Sequence, residues 1–114
     1  MATKETYLYF GDNKGGNAAG DSVTYPASTY LGLDPISATT SGISFKALAG
    51  TAADDSILVT HASGKYKQLC QAMAILMNST SGKLVVVYDE DNSIVHKVLS
   101  DFGVAPTEIE ITLG

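Results

Sequence analysis

The sequence predicts an α+β fold: a small, mostly antiparallel β-sheet or sandwich of about five to seven strands with one main α-helix over about residues 64–78. Three observations predict it. Short runs rich in aromatic and β-branched residues recur between Gly-, Ser-, Asn- and Asp-rich breaks. A single stretch, KYKQLCQAMAILMN (65–78), repeats its apolar residues with helical spacing. One further run, KLVVVYD (83–89), is almost continuously apolar, as a strand buried on both faces would be. The length of 114 residues suits one domain over 1–114.

Taken in order, ETYLYF (5–10) reads as a strand, and GDNKGGNAAGD (11–21) as a long glycine-rich hairpin loop. SVTYPAS (22–28) has strand composition, with Pro26 restricting it to an edge or an end. LGLDPIS (31–37) contains a turn signal at Asp34-Pro35, and TTSG (39–42) makes a second polar break. ISFKAL (43–48) alternates, placing Ile43, Phe45 and Ala47 on one face, and SILVTH (56–61) is the next strand. In the helix, Tyr66, Leu69, Cys70, Met73, Leu76 and Met77 form the apolar stripe. Ser63 is the expected N-cap, because its hydroxyl can accept an early helix N–H. DEDNS (89–93) is a turn, and IVHKVLS (94–100) is open between a strand and one or two helical turns. TEIEITL (107–113) alternates Ile109, Ile111 and Leu113 against Glu108, Glu110 and Thr112, as a half-exposed final strand does.

A 14-residue helix is about 21 Å long and roughly 10 Å wide. A five-stranded sheet is roughly 20 Å across. One helix therefore leaves part of the sheet's apolar face for a second sheet, a loop layer or another subunit. Sheet ends also expose backbone groups that can pair with a neighbour. Both considerations lead to the expectation of an oligomer or an assembly component.

Charge excludes more than it identifies. The chain is 45% hydrophobic and only 17% charged, with a net charge of −5. All seven of its basic residues are lysines, scattered along the chain, so neither a guanidinium fork nor a basic cluster is present for nucleic acid. No apolar run approaches the roughly 18 residues of a membrane span, and the first residues lack the pattern of a secretory signal. Synthesis in the cytoplasm is the corresponding expectation.

Few residues carry chemistry. In the glycine-rich loop Lys14 precedes Gly15-Gly16 and no G-x-G occurs, so neither phosphate-binding fingerprint fits. Asp89, Glu90, Asp91 and Asn92 could offer oxygens to a hard cation, but Ile94 stands where a calcium loop needs glycine, which favours a solvated turn. His61 and His96 could serve a hydrolase with Ser63, Asp89 or Asp54, yet no G-x-S-x-G elbow accompanies them. Cys70 is the single cysteine, and its place in the stripe predicts a small buried apolar group. No catalytic residue, cofactor or metal is expected. Tyr7, Tyr9, Asn13, Asn17, Tyr25 and Tyr30 are the candidate interface residues, since tyrosine combines large apolar area with a polar tip. For the tyrosines, packing at the edge of the core is an equal alternative.

The layout YLYFGDN (7–13), DSVTYPASTYLGLDP (21–35), ADDSILVTHASGKYKQLCQAMAILMN (53–78), GKLVVVYDEDNSIVH (82–96) and EIEITL (108–113) resembles small virion structural proteins of marine tailed bacteriophages, notably those of cyanobacteria. The shared features are an early V-T-Y-P, a G-K before the helix, an apolar strand ending in D-x-x-N-S, and a C-terminal strand. The resemblance covers most of the chain and transfers no catalytic residue. It implies a capsid decoration (cement) protein on the capsid exterior, partnered by the major capsid protein and by copies of itself, with a trimer as one arrangement. The alternatives are a tail or head–tail connector subunit and, from another class, a small cytoplasmic enzyme or ligand- or metal-binding module.

Overall fold

The computed structural model describes residues 6–12, 22–47, 53–78, 84–90 and 94–112. The order of elements is β1 (Tyr7–Gly11), β2 (Ser22–Pro26), a 3-10 turn (Ala27–Thr29), β3 (Tyr30–Pro35), β4 (Thr40–Phe45), β5 (Asp55–Thr60), α1 (Tyr66–Met77), β6 (Leu84–Asp89), β7 (Ile94–Val95), α2 (Lys97–Asp101) and β8 (Glu108–Thr112). The α+β class holds. The eight described strands form two sheets of four.

Sheet I has the order β2-β1-β6-β7 and sheet II the order β3-β4-β5-β8. Every pairing is antiparallel except β1 with β6. A parallel pair needs a long crossover. Here the crossover between β1 and β6 carries β2, β3, β4, β5 and α1. Between them β2 closes sheet I and leads through the 3-10 turn into sheet II. A register shift between Tyr9 and Phe10 sets Val86 and Tyr88 against those two residues, so Val87 is the extra residue of a bulge.

The inner faces of the two sheets shelter each other. Leu8, Phe10, Val23 and Tyr25 from sheet I share one buried cluster with Ile43, Phe45, Ile57, Val59 and Ile109 from sheet II. Phe45 is the meeting point. Its ring stacks on Tyr25 at 4.2 Å between centroids and is tilted against Phe10 at 5.8 Å. The Tyr25 hydroxyl also donates to Asp55 Oδ2 at 2.8 Å, tying β2 of one sheet to β5 of the other within the core. A second sheet thus covers the apolar area that one helix cannot, and the inner faces require no neighbouring chain.

The helix buries Leu69, Ala72, Met73 and Leu76. At 3.6 residues per turn, including Ala72 moves the centre of the buried face, and Cys70 then lies roughly 110° round from it. Cys70 is accordingly exposed rather than buried, Tyr66 is also exposed and Met77 is half-buried. Ser63 does not cap α1. The N-cap position is Lys65, without a side-chain cap bond. The approach to the helix is held by its backbone instead, with Ala62 N–H on Val104 O at 2.9 Å and Gly64 N–H on Ala38 O at 2.7 Å.

Two further local signals yield to pairing. The turn signal at Asp34-Pro35 lies within β3, and the chain reverses afterwards, where Ile36 N–H reaches Thr40 O at 2.9 Å. The polar break at Thr40–Gly42 is strand, because the ladder to β5 satisfies its backbone while its alternate side chains face outward. Gly42 also makes room for Ile36, whose Cδ1 would lie 3.3 Å from a Cβ there. IVHKVLS divides into both readings, β7 and then α2.

Candidate protein-contact surface

Strand alternation sends Tyr7 and Tyr9 of β1 to the outer face of sheet I. The register sets Leu84 beside Tyr7 and Val86 beside Tyr9 on β6, and Pro26 and Thr24 beside the same tyrosines on β2. The result is a tyrosine row between an aliphatic row and a small row. Of the seven large apolar side chains exposed among the described residues, three lie here: Tyr7, Leu84 and Ile94. Leu84 is 60% exposed, which corrects the expectation of a strand buried on both faces. The sequence pattern does not mark Leu84 and Val86 as surface residues, because their place depends on the parallel register with β1.

At the far end of this face Gly11 pairs with Asp89, and a Cβ at Gly11 would stand 2.8 Å from Asp89 Oδ1. Glycine there leaves room for the Asp89 carboxylate and the edge of the Tyr9 ring. Asp89 is the one charged side chain in these rows, and it is buried.

The other candidates go elsewhere. Tyr25 is fully buried and is a core residue, not a surface one. Burial, then the hydrogen bond and the negative charge of Asp55, push its phenol well above the ordinary value of 10. Tyr30 is half-buried, edge-on to Phe45 at 5.9 Å. Burial first and the nearby Cys70 second raise its phenol as well. Asn13 and Asn17 lie outside the described residues.

The outer face of sheet II has different chemistry. Thr40, Ser44, Ser56 and Thr60 point outward from β4 and β5, and Glu108 and Glu110 from β8. Leu58, Thr60, Glu108, Ile109 and Glu110 line a shallow depression on it.

Three of the sheet edges are guarded. Pro26 ends β2, and β3 carries both a register irregularity between Tyr30 and Gly32 and the proline Pro35. β7 is two residues long. On β8, Ile109 N–H donates to Glu90 Oε1 at 3.1 Å instead of to a strand. Prolines, bulges, short strands and carboxylates all hinder strand addition. The β2, β3 and β8 edges are therefore poor templates for a neighbour, whereas β7 pairs only with Tyr88 and Asp89 and leaves residues 84–86 of β6 without a strand partner on that side among the described residues.

The histidines are occupied by the chain itself. A carbonyl oxygen carries no proton, so His61 Nδ1 donates to Ala62 O at 2.8 Å. In the neutral ring Nε2 then accepts from the Ser41 hydroxyl at 2.9 Å. The serine beside His61 is Ser41, not Ser63, and it is fully buried, out of reach of a substrate carbonyl in this conformation. His96 caps α2, its Nδ1 accepting from Val98 N–H at 3.1 Å. Among the described residues no group of three or more His, Cys, Asp or Glu is placed to hold a metal ion, and no helix is long and apolar enough to cross a membrane.

Comparison of the chain with protein-family models, with curated proteins and with solved structures finds no match.

Proposed function

We propose that this chain is a virion structural protein, a capsid decoration protein that binds the major capsid protein on the outer shell and works in many copies. The observation that carries the reading is the outer face of sheet I, where Tyr7, Tyr9, Leu84 and Val86 form two adjacent rows with no exposed charge. Uncharged aromatic and aliphatic surface of this kind is characteristic of the centre of protein–protein contacts. A second exposed apolar region, Leu31 and Ile36 along and just after β3, lies on the other sheet. Two separate regions suit a protein that meets both a shell and its own neighbours. The net charge of −5 favours the outside of a shell over contact with packaged DNA. The resemblance of the sequence layout to phage virion proteins supplies the biological setting.

Mass spectrometry of purified particles, with copy number measured against the major capsid protein, tests this. Copies in the hundreds are expected. About a dozen would indicate a connector ring instead, and absence from the particle would overturn the reading.

A further inference from the structure

We infer that the outer face of sheet I is a self-association surface, on which a second copy of this chain packs face to face. The inference deepens the reading above by naming the partner of that face.

Charge argues for a second copy. Each chain carries −5, so most ways of bringing two copies together set carboxylates against carboxylates. The outer face of sheet II presents Glu108 and Glu110. The outer face of sheet I is the exception. Its rows hold Ser22, Thr24, Tyr7, Tyr9, Leu84 and Val86, and the nearby Asp89 is only 7% exposed, behind Gly11 and Tyr9. Among the described residues, packing this face on its own copy opposes no exposed like charges, and it leaves both acidic faces outermost. The guarded edges direct association to the face as well, since strand addition is hindered at β2, β3 and β8.

Area decides how strong such a contact is. Three strands about 4.8 Å apart and about 17 Å long present a footprint of about 240 Å². A standard interface buries roughly 800 Å² per partner. A contact this small is a weak, transient one in dilute solution. It becomes effective where copies are held at high local concentration, as on a shell.

Sedimentation velocity of the purified chain between about 10 μM and about 1 mM tests this. The weight-average mass should rise toward that of a dimer. Raising salt from about 20 mM to about 300 mM NaCl should strengthen association severalfold, because screening removes repulsion between two acidic chains. Leu84→Glu and Tyr7→Glu place carboxylates on the face and should each weaken association at least tenfold. Leu84→Ser and circular dichroism separate loss of contact from loss of fold, and Ile36→Glu, on the other sheet, should leave association intact. A mass that stays monomeric to about 1 mM, an association that weakens with salt, or Glu variants that still pair would each overturn the inference. None of these results depends on whether the protein occurs in particles, which mass spectrometry of particles decides separately.

Discussion

The outer faces of the two sheets are built by the same backbone alternation and differ in chemistry. Sheet I turns Tyr7, Leu84 and Ile94 toward solvent with no exposed charge among its described rows, whereas sheet II turns out threonines, serines and Leu58 together with Glu108 and Glu110, and keeps its exposed Leu31 on the edge strand β3. Behind them the inner faces are mainly apolar and meet at Phe45, with Asp55 of sheet II held by the Tyr25 hydroxyl of sheet I. The core therefore belongs to both sheets together, while surface identity belongs to each separately. Stability should follow residues where the sheets meet, and association should follow the outer face of sheet I alone.

The largest effect expected from breaking this arrangement is at the shared core. Phe45→Ala removes the ring between Tyr25 and Phe10 and should cost about 3–5 kcal/mol. In urea, far-ultraviolet dichroism and tyrosine fluorescence should still lose signal together. Separate transitions would mean that the sheets fold independently.

Tyr25→Phe keeps the packing but removes the hydrogen bond that ties β2 to Asp55 of β5, so the buried carboxylate loses a donor. The expected cost is about 1–3 kcal/mol. The same pair makes stability depend on alkaline pH. With the Tyr25 phenol raised above its ordinary value of 10, the folded chain keeps a proton that the unfolded chain releases. Its contribution is complete below pH 10 and declines as pH rises beyond it. Urea midpoints measured from pH 8 upward should therefore fall above pH 10, and fall less steeply in Tyr25→Phe.

The smallest effects should come from the outer faces. Leu84→Ser on sheet I and Glu110→Gln on sheet II should each change stability by no more than about 0.5 kcal/mol. Only the first should alter sedimentation, which would separate the two surfaces by function with stability held constant.

Much of the fold was legible in the sequence because it is governed by local pattern. Alternation in ISFKAL, SILVTH and TEIEITL, and the helical period of 65–78, each report which side of an element meets the core. Even there, neighbours moved details. Ala72 turned the helix so that Cys70 faces out, and the ladder to β5 drew Thr40–Gly42 into a strand despite its polar, glycine-containing composition.

The candidate surface was half legible. Tyr7 and Tyr9 share a face whenever residues 5–10 form a strand, but Leu84 and Val86 join them only through the parallel pairing of β1 with β6, across most of the chain. Tyr25 has the composition of a surface tyrosine and becomes a core residue because Phe45 and Asp55 stand opposite it.

The sequence by itself determined the fold class, the helix, the acidic balance and the inward and outward residues of most strands, since these depend on residues a few positions apart. Only the tertiary structure decided that the strands divide into two sheets, that these cover one another, and which outer face is left apolar. Those outcomes rest on pairings between residues tens of positions apart, whose energies come from contact area and buried hydrogen bonds and leave no periodic trace along the chain.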